Sequence, residues 1–444
     1  MKRPIAISIA AAFLTPIAAA VPASAQDVGT FTREDLKADI EAFLTSSEMA
    51  RVRTSADRGD PYSIIKVVDA LDKKYSGNSI VLIEVKVRYL AVAMGKGYGP
   101  AFFRMGEMVR LGQLPEGGPM DALDFFEKGA AAGDADSAIA YFKMARDLRV
   151  CSICEQGPRG TETKLIEQVT HSETAAMKNA GVFSNEYVQI RRGIEDRTVS
   201  TYNVEKMALV KKAIGLLDQD SLKANWDAQS FLANAYIYGV NGAKSIDLRN
   251  GKFVETGDSK FMNADPAKAR PILERFAASK EQGALDLLSR LYLTGVINGY
   301  PKDRAKFISY TSQLADLGNT NAAYRLGHFM VAGDPFPPDF DLGAKYLYIA
   351  HEAGSARATL DLARMFYSGR GVPKNEATAF SLFEIAGNRG SSDAADVMAQ
   401  YWRDGIGGTA NPMRAEIWAK KAKENRDKEA AAAALTKQLG LSPI

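Results

Sequence analysis

Apolar and small residues recur along this chain with the spacing of paired amphipathic helices. Glycines stand 36 residues apart at 333, 369 and 405. Seven residues before these and three earlier glycines lies a large apolar residue: Met105, Leu232, Leu288, Leu326, Leu362 and Met398. The residue six positions before each glycine is small in every copy. The residue three positions before each glycine is again apolar: Val109, Tyr236, Tyr292, Met330, Phe366 and Trp402. Residues four apart share one helix face, so the pattern predicts a helix with one closely packed side.

A second helix is predicted after each clear copy of the first. Its apolar residues fall at i, i+4 and i+7, as at Ala379, Phe383 and Ala386. It closes with a glycine, a residue that adopts the left-handed turn at a helix end without steric penalty: Gly97, Gly133, Gly318, Gly354 and Gly390. Repetition of such units predicts an all-α fold, a right-handed α-solenoid of helix-turn-helix repeats of about 36 residues.

The repeat A-x-x-x-L-A-x-x-F-Y-x-G-x-G-V, followed by A-x-x-L-F-x-x-A-x-x-x-G, resembles the Sel1-like repeat, a relative of the tetratricopeptide repeat. The resemblance covers residues 284–426 and returns at 60–133. Between 134 and 283 we expect degenerate repeats with insertions at 150–200 and 240–265, the second forming a short hairpin. Residues 26–59 are expected to form an amino-terminal helical extension, and 427–444 a capping helix.

The amino terminus has the pattern of a secretory signal peptide over residues 1–25. Lys2 and Arg3 precede an apolar stretch that ends in Ala-Ser-Ala, which predicts cleavage before Gln26. The first cysteine is Cys151, so the lipid-bearing cysteine of a lipoprotein is missing and we expect a periplasmic protein. No later run of about 18 apolar residues predicts a transmembrane segment. Without Lys2 and Arg3, 54 basic residues face 53 acidic ones, which gives no argument for nucleic acid.

The two cysteines, Cys151 and Cys154, leave three interpretations open. An oxidising compartment favours a local disulfide within an irregular loop. A redox-active dithiol would be expected at a helix amino terminus within a β-α-β pattern, which the surrounding sequence lacks. Zinc would need more ligands, and the chain offers only His171, His328 and His351.

Two glycine-rich stretches resemble phosphate-binding loops but lack their context. Gly369-x-Gly371 follows a predicted helix rather than a strand, and Lys374 takes the place of the third glycine. GVNGAKS, at 239–245, has its glycines and lysine in the wrong register for a phosphate loop. No HExxH, GxSxG or comparable nucleophile motif occurs, so we expect no enzyme, no cofactor and no metal.

The loop from Asp334 to Asp341 is the candidate contact site for a partner. It places three acids and two phenylalanines in a turn that we expect to be exposed: Asp334, Phe336, Asp339, Phe340 and Asp341. The alternative interpretation is a loop stiffened by its prolines. Tyr98 and Tyr300 are further candidate contact residues because they lie outside the repeat pattern, whereas Tyr236, Tyr292, Phe366 and Trp402 are predicted to be core.

An exported helical array without catalytic residues is similar to the periplasmic scaffold family of alginate secretion in Gram-negative bacteria. That resemblance implies protein partners, namely an outer-membrane porin and polymer-modifying enzymes, and the exported polysaccharide itself. Members of that family are ordinarily lipoproteins, and this chain departs from them there. The alternative is a resemblance to Sel1-like regulators that restrain a sensor kinase of exopolysaccharide synthesis. Enzymatic cysteine-rich relatives carry a cysteine pair in nearly every repeat, whereas this chain has one pair.

Overall fold

A computed structural model describes residues 32–75, 79–114, 117–147, 154–156, 163–165, 169–180, 185–241, 245–249, 252–256, 260–406 and 409–438. The predicted leader therefore lies outside the described residues. The chain divides into two compact units, Met1–Asp265 and Pro266–Ile444. Within the described residues, no helix is both long enough and apolar enough to span a membrane.

Unit 1 begins with short helices and then two helix-turn-helix pairs. Helices α1 (Arg33–Leu44) and α2 (Ala50–Asp57) lie within residues 26–59. Pairs follow as α3 (Pro61–Lys74) with α4 (Ile80–Gly95), and α5 (Gly99–Arg110) with α6 (Pro119–Ala131). The cores of these pairs are apolar, with Leu71, Leu90 and Phe126 fully buried.

The remainder of unit 1 departs from the regular repeat. After α7 (Ala135–Asp147), an antiparallel pair of strands, β1 (Cys154–Gln156) and β2 (Thr163–Leu165), precedes α8 (His171–Ala180). Helix α9 (Asn185–Leu217) is 33 residues long and packs against α7, so it is too long for a repeat helix. Helix α10 (Trp226–Tyr238) then leads into four strands, β3 (Val240–Asn241), β4 (Ser245–Arg249), β5 (Lys252–Thr256) and β6 (Lys260–Met262). Strand β3 pairs with β6 and β4 with β5, both antiparallel.

Unit 2 is a regular series of helices. It comprises α11 (Pro266–Ala278), α12 (Gln282–Thr294), α13 (Arg304–Asp316), α14 (Thr320–Ala332), α15 (Phe340–Glu352), α16 (Ala356–Ser368), α17 (Glu376–Asn388), α18 (Ser392–Asp404) and α19 (Pro412–Gln438). The pairs are α12/α13, α14/α15, α16/α17 and α18/α19. We call α12, α14, α16 and α18 the first helices and α13, α15 and α17 the second helices. Helix α19 continues without a break through residue 427, where the sequence predicted a separate cap.

Short polar caps and left-handed turns set the helix boundaries in unit 2. The side chain of Asn375 accepts a hydrogen bond from the Thr378 amide (3.0 Å) and so caps the start of α17. Gly369 ends α16 in the left-handed conformation, with φ of 70°. Lys280 takes that conformation after α11, with φ of 61°, at the place where later second helices have a glycine. This substitution hid the repeat from the sequence pattern.

The columns predicted from the sequence form the core of unit 2. Leu288, Leu326 and Leu362 are fully buried, and the small residues next to them let the helices of a pair approach closely. Helices α14 and α15 come closest where Gly327 faces Gly343. The third column is less uniform, because Tyr292 is buried while Phe366 and Trp402 are half-buried, as is Tyr236 in unit 1.

Candidate functional site

The predicted partner loop at 334–341 folds partly into the core. Phe336 is only 7% exposed and stacks on Phe307, with 5.7 Å between ring centroids. Tyr300, which lies in a different loop, between α12 and α13, is fully buried beside Tyr292. The expectation that Phe336 and Tyr300 are exposed is therefore wrong, because the turns between paired helices fold their large apolar side chains back over the core. Tyr98 is half-buried.

The acids of the same loop have different roles. Asp339 caps α15 by accepting from the Leu342 amide (3.2 Å) and pairs with Arg304 (2.8 Å). These hydrogen bonds lower the pKa of Asp339, so its carboxylate stabilises the turn. Asp334 and Asp341 remain exposed. Half-buried Phe340 has the guanidinium carbon of Arg370 5.2 Å from its ring centroid.

The structure describes most of the cysteine and histidine residues that the sequence singled out. Cys151 lies outside the described residues, and Cys154 begins strand β1. The Cys151–Cys154 disulfide therefore stays a prediction. Exposed His171 belongs to unit 1, whereas His328 and His351 belong to unit 2. In the described part of the chain, no group of three or more histidine, cysteine or acidic residues could hold a metal.

His351 lies in a half-buried polar cluster where α15, α16 and α17 meet. Its Nδ1 lies 2.9 Å from Thr359 Oγ1 and 3.2 Å from Arg389 Nη1. Arg389 also donates to the carbonyl oxygen of His351 (2.8 Å). Burial, together with the positive charge of Arg389, lowers the pKa of His351. The neutral imidazole therefore links consecutive repeats.

A ladder of charged side chains crosses unit 2 from one first helix to the next. Asp286 of α12 pairs with Arg325 of α14 (2.7 Å). His328 of α14 pairs with Asp361 of α16 (2.7 Å). Arg364 of α16 pairs with Asp393 of α18 (3.2 Å). The last ion pair joins Asp396 of α18 to Arg426 of α19 (2.5 Å). The first helices therefore lie side by side and share one continuous polar surface.

The α12–α14 step of the ladder contains a buried guanidinium. The Arg325 side chain is only 8% exposed and donates from Nη2 to Asp286 Oδ1 (2.7 Å) and Ser289 Oγ (2.9 Å). The other oxygen of Asp286 pairs with exposed Arg290 (2.9 Å). Two guanidinium groups thus share one carboxylate, which leaves surplus positive charge at this step.

The α14–α16 step contains an ordered imidazole. The Asp361 side chain, which is 12% exposed, accepts a hydrogen bond from His328 Nδ1. The His328 side chain is 42% exposed, and its other ring nitrogen, Nε2, takes no part in this hydrogen bond. The Tyr324 ring centroid lies 5.4 Å from that of His328. Burial raises the pKa of Tyr324 to about 12, with a further increase from Asp361 and opposing effects of Arg357 and Arg364.

Helices α12, α14 and α16 differ in the sign of their net charge from the second helices α13, α15 and α17. Helices α12, α14 and α16 carry four arginines and two aspartates, a net charge of +2 with His328 neutral. Helices α13, α15 and α17 carry three basic and five acidic residues, a net charge of −2 with His351 neutral. We call the exposed side of α12, α14 and α16 the basic surface; it includes Arg290, His328, Arg357 and Arg364. No sequence pattern indicates this surface, because the ladder joins residues about 30 to 40 positions apart.

The comparisons agree with this architecture. The model for the Sel1 repeat matches residues 101–149, 283–319, 320–355, 356–391 and 392–427. Helix pairs stacked in this order define an all-α repeat solenoid. The five matched segments are similar to Sel1 repeats, and four of them cover the first helices of unit 2. The matched segment of unit 1 begins at residue 101, whereas the sequence pattern indicated a resemblance from residue 60.

Solved structures of low sequence identity are also similar to this chain. A Sel1 repeat protein from Oxalobacter formigenes is 17% identical, with 95% of this chain and 98% of that chain covered and a TM-score of 0.46. The protective antigen c5321 of uropathogenic Escherichia coli, with an SLR fold, is 17% identical, with 90% and 80% covered and a TM-score of 0.35. Immunity protein PA5088 from Pseudomonas aeruginosa is 22% identical, with 51% and 74% covered and a TM-score of 0.24. The fold assignment rests instead on the matched repeats and the helix pairs.

Proposed function

We propose that this chain is a periplasmic protein-interaction scaffold that works in the synthesis or secretion of an alginate-like exopolysaccharide. Sel1 repeats are generally protein–protein interaction modules, which supports the scaffold role. The leader-like residues 1–25 support export. The net charge of +1 without Lys2 and Arg3 supports a protein that acts through specific contacts. The exopolysaccharide role and its partners, an outer-membrane porin and polymer-modifying enzymes, come from the resemblance to alginate-secretion scaffolds.

The observation that carries the scaffold proposal is the ladder across the first helices. Its exposed groups, His328 and Arg364, lie two positions after the fully buried Leu326 and Leu362 and are paired with Asp361 and Asp393, respectively. Side chains held in place by neighbours lose little conformational freedom when a partner binds. A continuous, preorganised polar surface of this kind suits recognition of another protein. Exposed Asp334, which lies just after the end of α14, and exposed Asp341, in the first turn of α15, are proposed as additional partner contacts.

The test is affinity capture with the chain from residue 26 onward, immobilised and exposed to a periplasmic extract. We expect an outer-membrane polysaccharide porin or a polymer-modifying enzyme to be retained, and to be absent from a resin carrying only the tag. Recovery of a sensor kinase alone would replace the scaffold by the regulator. Failure to retain any of these proteins would refute the proposal.

A further inference from the structure

The basic surface has the chemistry to recognise a chain of carboxylates. We infer that it binds an acidic, extended peptide segment of a partner protein, whose carboxylates pair with Arg290, Arg357 and Arg364. This inference rests on the proposed scaffold function and names the chemistry of the segment that it would hold.

The arginines of the basic surface have unused capacity for anions. Arg290, 50% exposed, pairs with Asp286, which already binds Arg325. Arg357 is exposed, and no ion pair of it is seen among the described residues. Arg364 is 56% exposed although it contacts Asp361 and Asp393. Guanidinium groups bind carboxylates through two parallel hydrogen bonds, so such groups favour an acidic ligand.

The row spacing suits an extended chain. Arg290, His328 and Arg364 each lie five residues before the glycine that ends their helix, so each first helix presents one of them at the same place. Packed helices lie about 8–10 Å apart. A polyproline II segment rises about 3.1 Å per residue with three residues per turn, so acids at every third residue recur about 9 Å apart on one side. That repeat matches the expected step between first helices, so two acids separated by two turns of the segment would reach Arg290 and Arg364, with the turn between them at His328. Arg357 lies two helical turns before Arg364 on the same face of α16 and would take a further acid.

The same surface favours a peptide over an acidic polysaccharide. Sugar rings are commonly held by stacking on exposed aromatic faces. Here the half-buried ring of Tyr324 lies against His328, with 5.4 Å between centroids. Tyr367, 47% exposed at the end of α16, already contacts Phe380 and Phe383. The row therefore offers guanidinium groups rather than a series of stacking platforms.

The experiment measures fluorescence anisotropy of labelled peptides mixed with the chain from residue 26 onward. The probe has glutamate at every third position, separated by glycine and serine, and its matched control has lysine there. Arg357→Glu and Arg290→Glu test the surface. The first should fold normally, because an acid near the start of α16 suits the helix dipole. Lys345→Glu, on exposed Lys345 of α15, has the same charge change as each single variant and is the matched control for them, and each of them should weaken binding more than it does.

We expect the glutamate peptide to bind, with affinity at least about tenfold lower for the double variant Arg290→Glu/Arg357→Glu and little changed for Lys345→Glu. Binding should weaken as salt rises from about 0.05 M to about 0.5 M, because exposed charges are screened. Circular dichroism of each variant would separate a lost surface from a lost fold. An oligogalacturonate of equal charge should bind more weakly than the peptide.

Three results would overturn the inference: no binding of the glutamate peptide, an equal loss with Lys345→Glu, or tighter binding of the oligogalacturonate. The capture experiment keeps this failure separate from failure of the scaffold proposal. If the double variant still retains the periplasmic partner, the scaffold function stands and the acidic-peptide inference falls. Failure of the unmodified chain to retain a partner would instead count against the scaffold function.

Discussion

The close crossing of α14 and α15 allows a prediction from a single methyl group. A Cβ atom added at Gly327 would lie 2.7 Å from Leu347 Cγ, 2.8 Å from the Leu347 amide nitrogen and 3.0 Å from the Gly343 carbonyl oxygen. Two of those atoms belong to the backbone of α15, so side-chain rotation cannot relieve the overlap. Gly327→Ala should therefore push the two helices apart.

The expected magnitude follows from two opposing effects. Alanine in a helix interior stabilises by about 0.5–1 kcal/mol relative to glycine. Overpacking of a well-packed core costs about 1–3 kcal/mol. The net expectation is a loss of about 1–2 kcal/mol, which raises the local opening constant of α14 and α15 about 5–30-fold.

Hydrogen exchange of the α14 and α15 amides measures this change locally, which matters because repeat arrays need not unfold in one step. The control is Gly215→Ala in α9, where an added Cβ meets nothing within 4 Å. That control should slow exchange in its own helix or leave it unchanged. Unchanged or slower exchange in α14 and α15 of Gly327→Ala would refute the close crossing.

Four further predictions test individual contacts. Arg325→Gln should destabilise unit 2 by about 1–3 kcal/mol in urea unfolding, because it weakens a buried charged hydrogen-bond network. Because folding lowers the pKa of His351 below its ordinary 6.5, its neutral form favours folding. The folding stability should therefore fall as the pH drops below 6.5, and His351→Gln should flatten this dependence in melting temperatures. Asn375→Ala should cost about 1 kcal/mol by the same urea assay, through the lost cap of α17. Cys151 and Cys154 should resist thiol labelling until reductant is added, and free thiols in the exported chain would exclude their disulfide.

The fold was predictable where the columns of the repeat are unbroken. Leu326 and Leu362, with their glycines at 333 and 369, predicted both the first helices and their turns. The 33-residue helix α9 was not predicted, because its length has no counterpart in a 36-residue unit. Lys280 concealed a turn because a lysine rarely takes the left-handed conformation.

The candidate site was harder to predict, because exposure in a loop depends on tertiary packing. Loop residues with prolines and acids suggested an exposed turn, yet Phe336 packs on Phe307, which comes from another helix pair. Apart from Asp396 and Arg426, the partners of the ladder lie in different repeats, and only the stacking of first helices brings Asp286 to Arg325. No local motif identifies such pairs.

Core and surface are nevertheless linked by the register of each first helix. The residues seven and six positions before the terminal glycine are buried, so the residue five positions before it lies at the edge of the packed face. The core can thus fix the spacing of Arg290, His328 and Arg364 without fixing their chemistry. In α18 this position is Gln400, and the helix also carries Asp393 and Asp396, so the basic surface ends there. An acidic partner should consequently engage α12 to α16 and avoid α18.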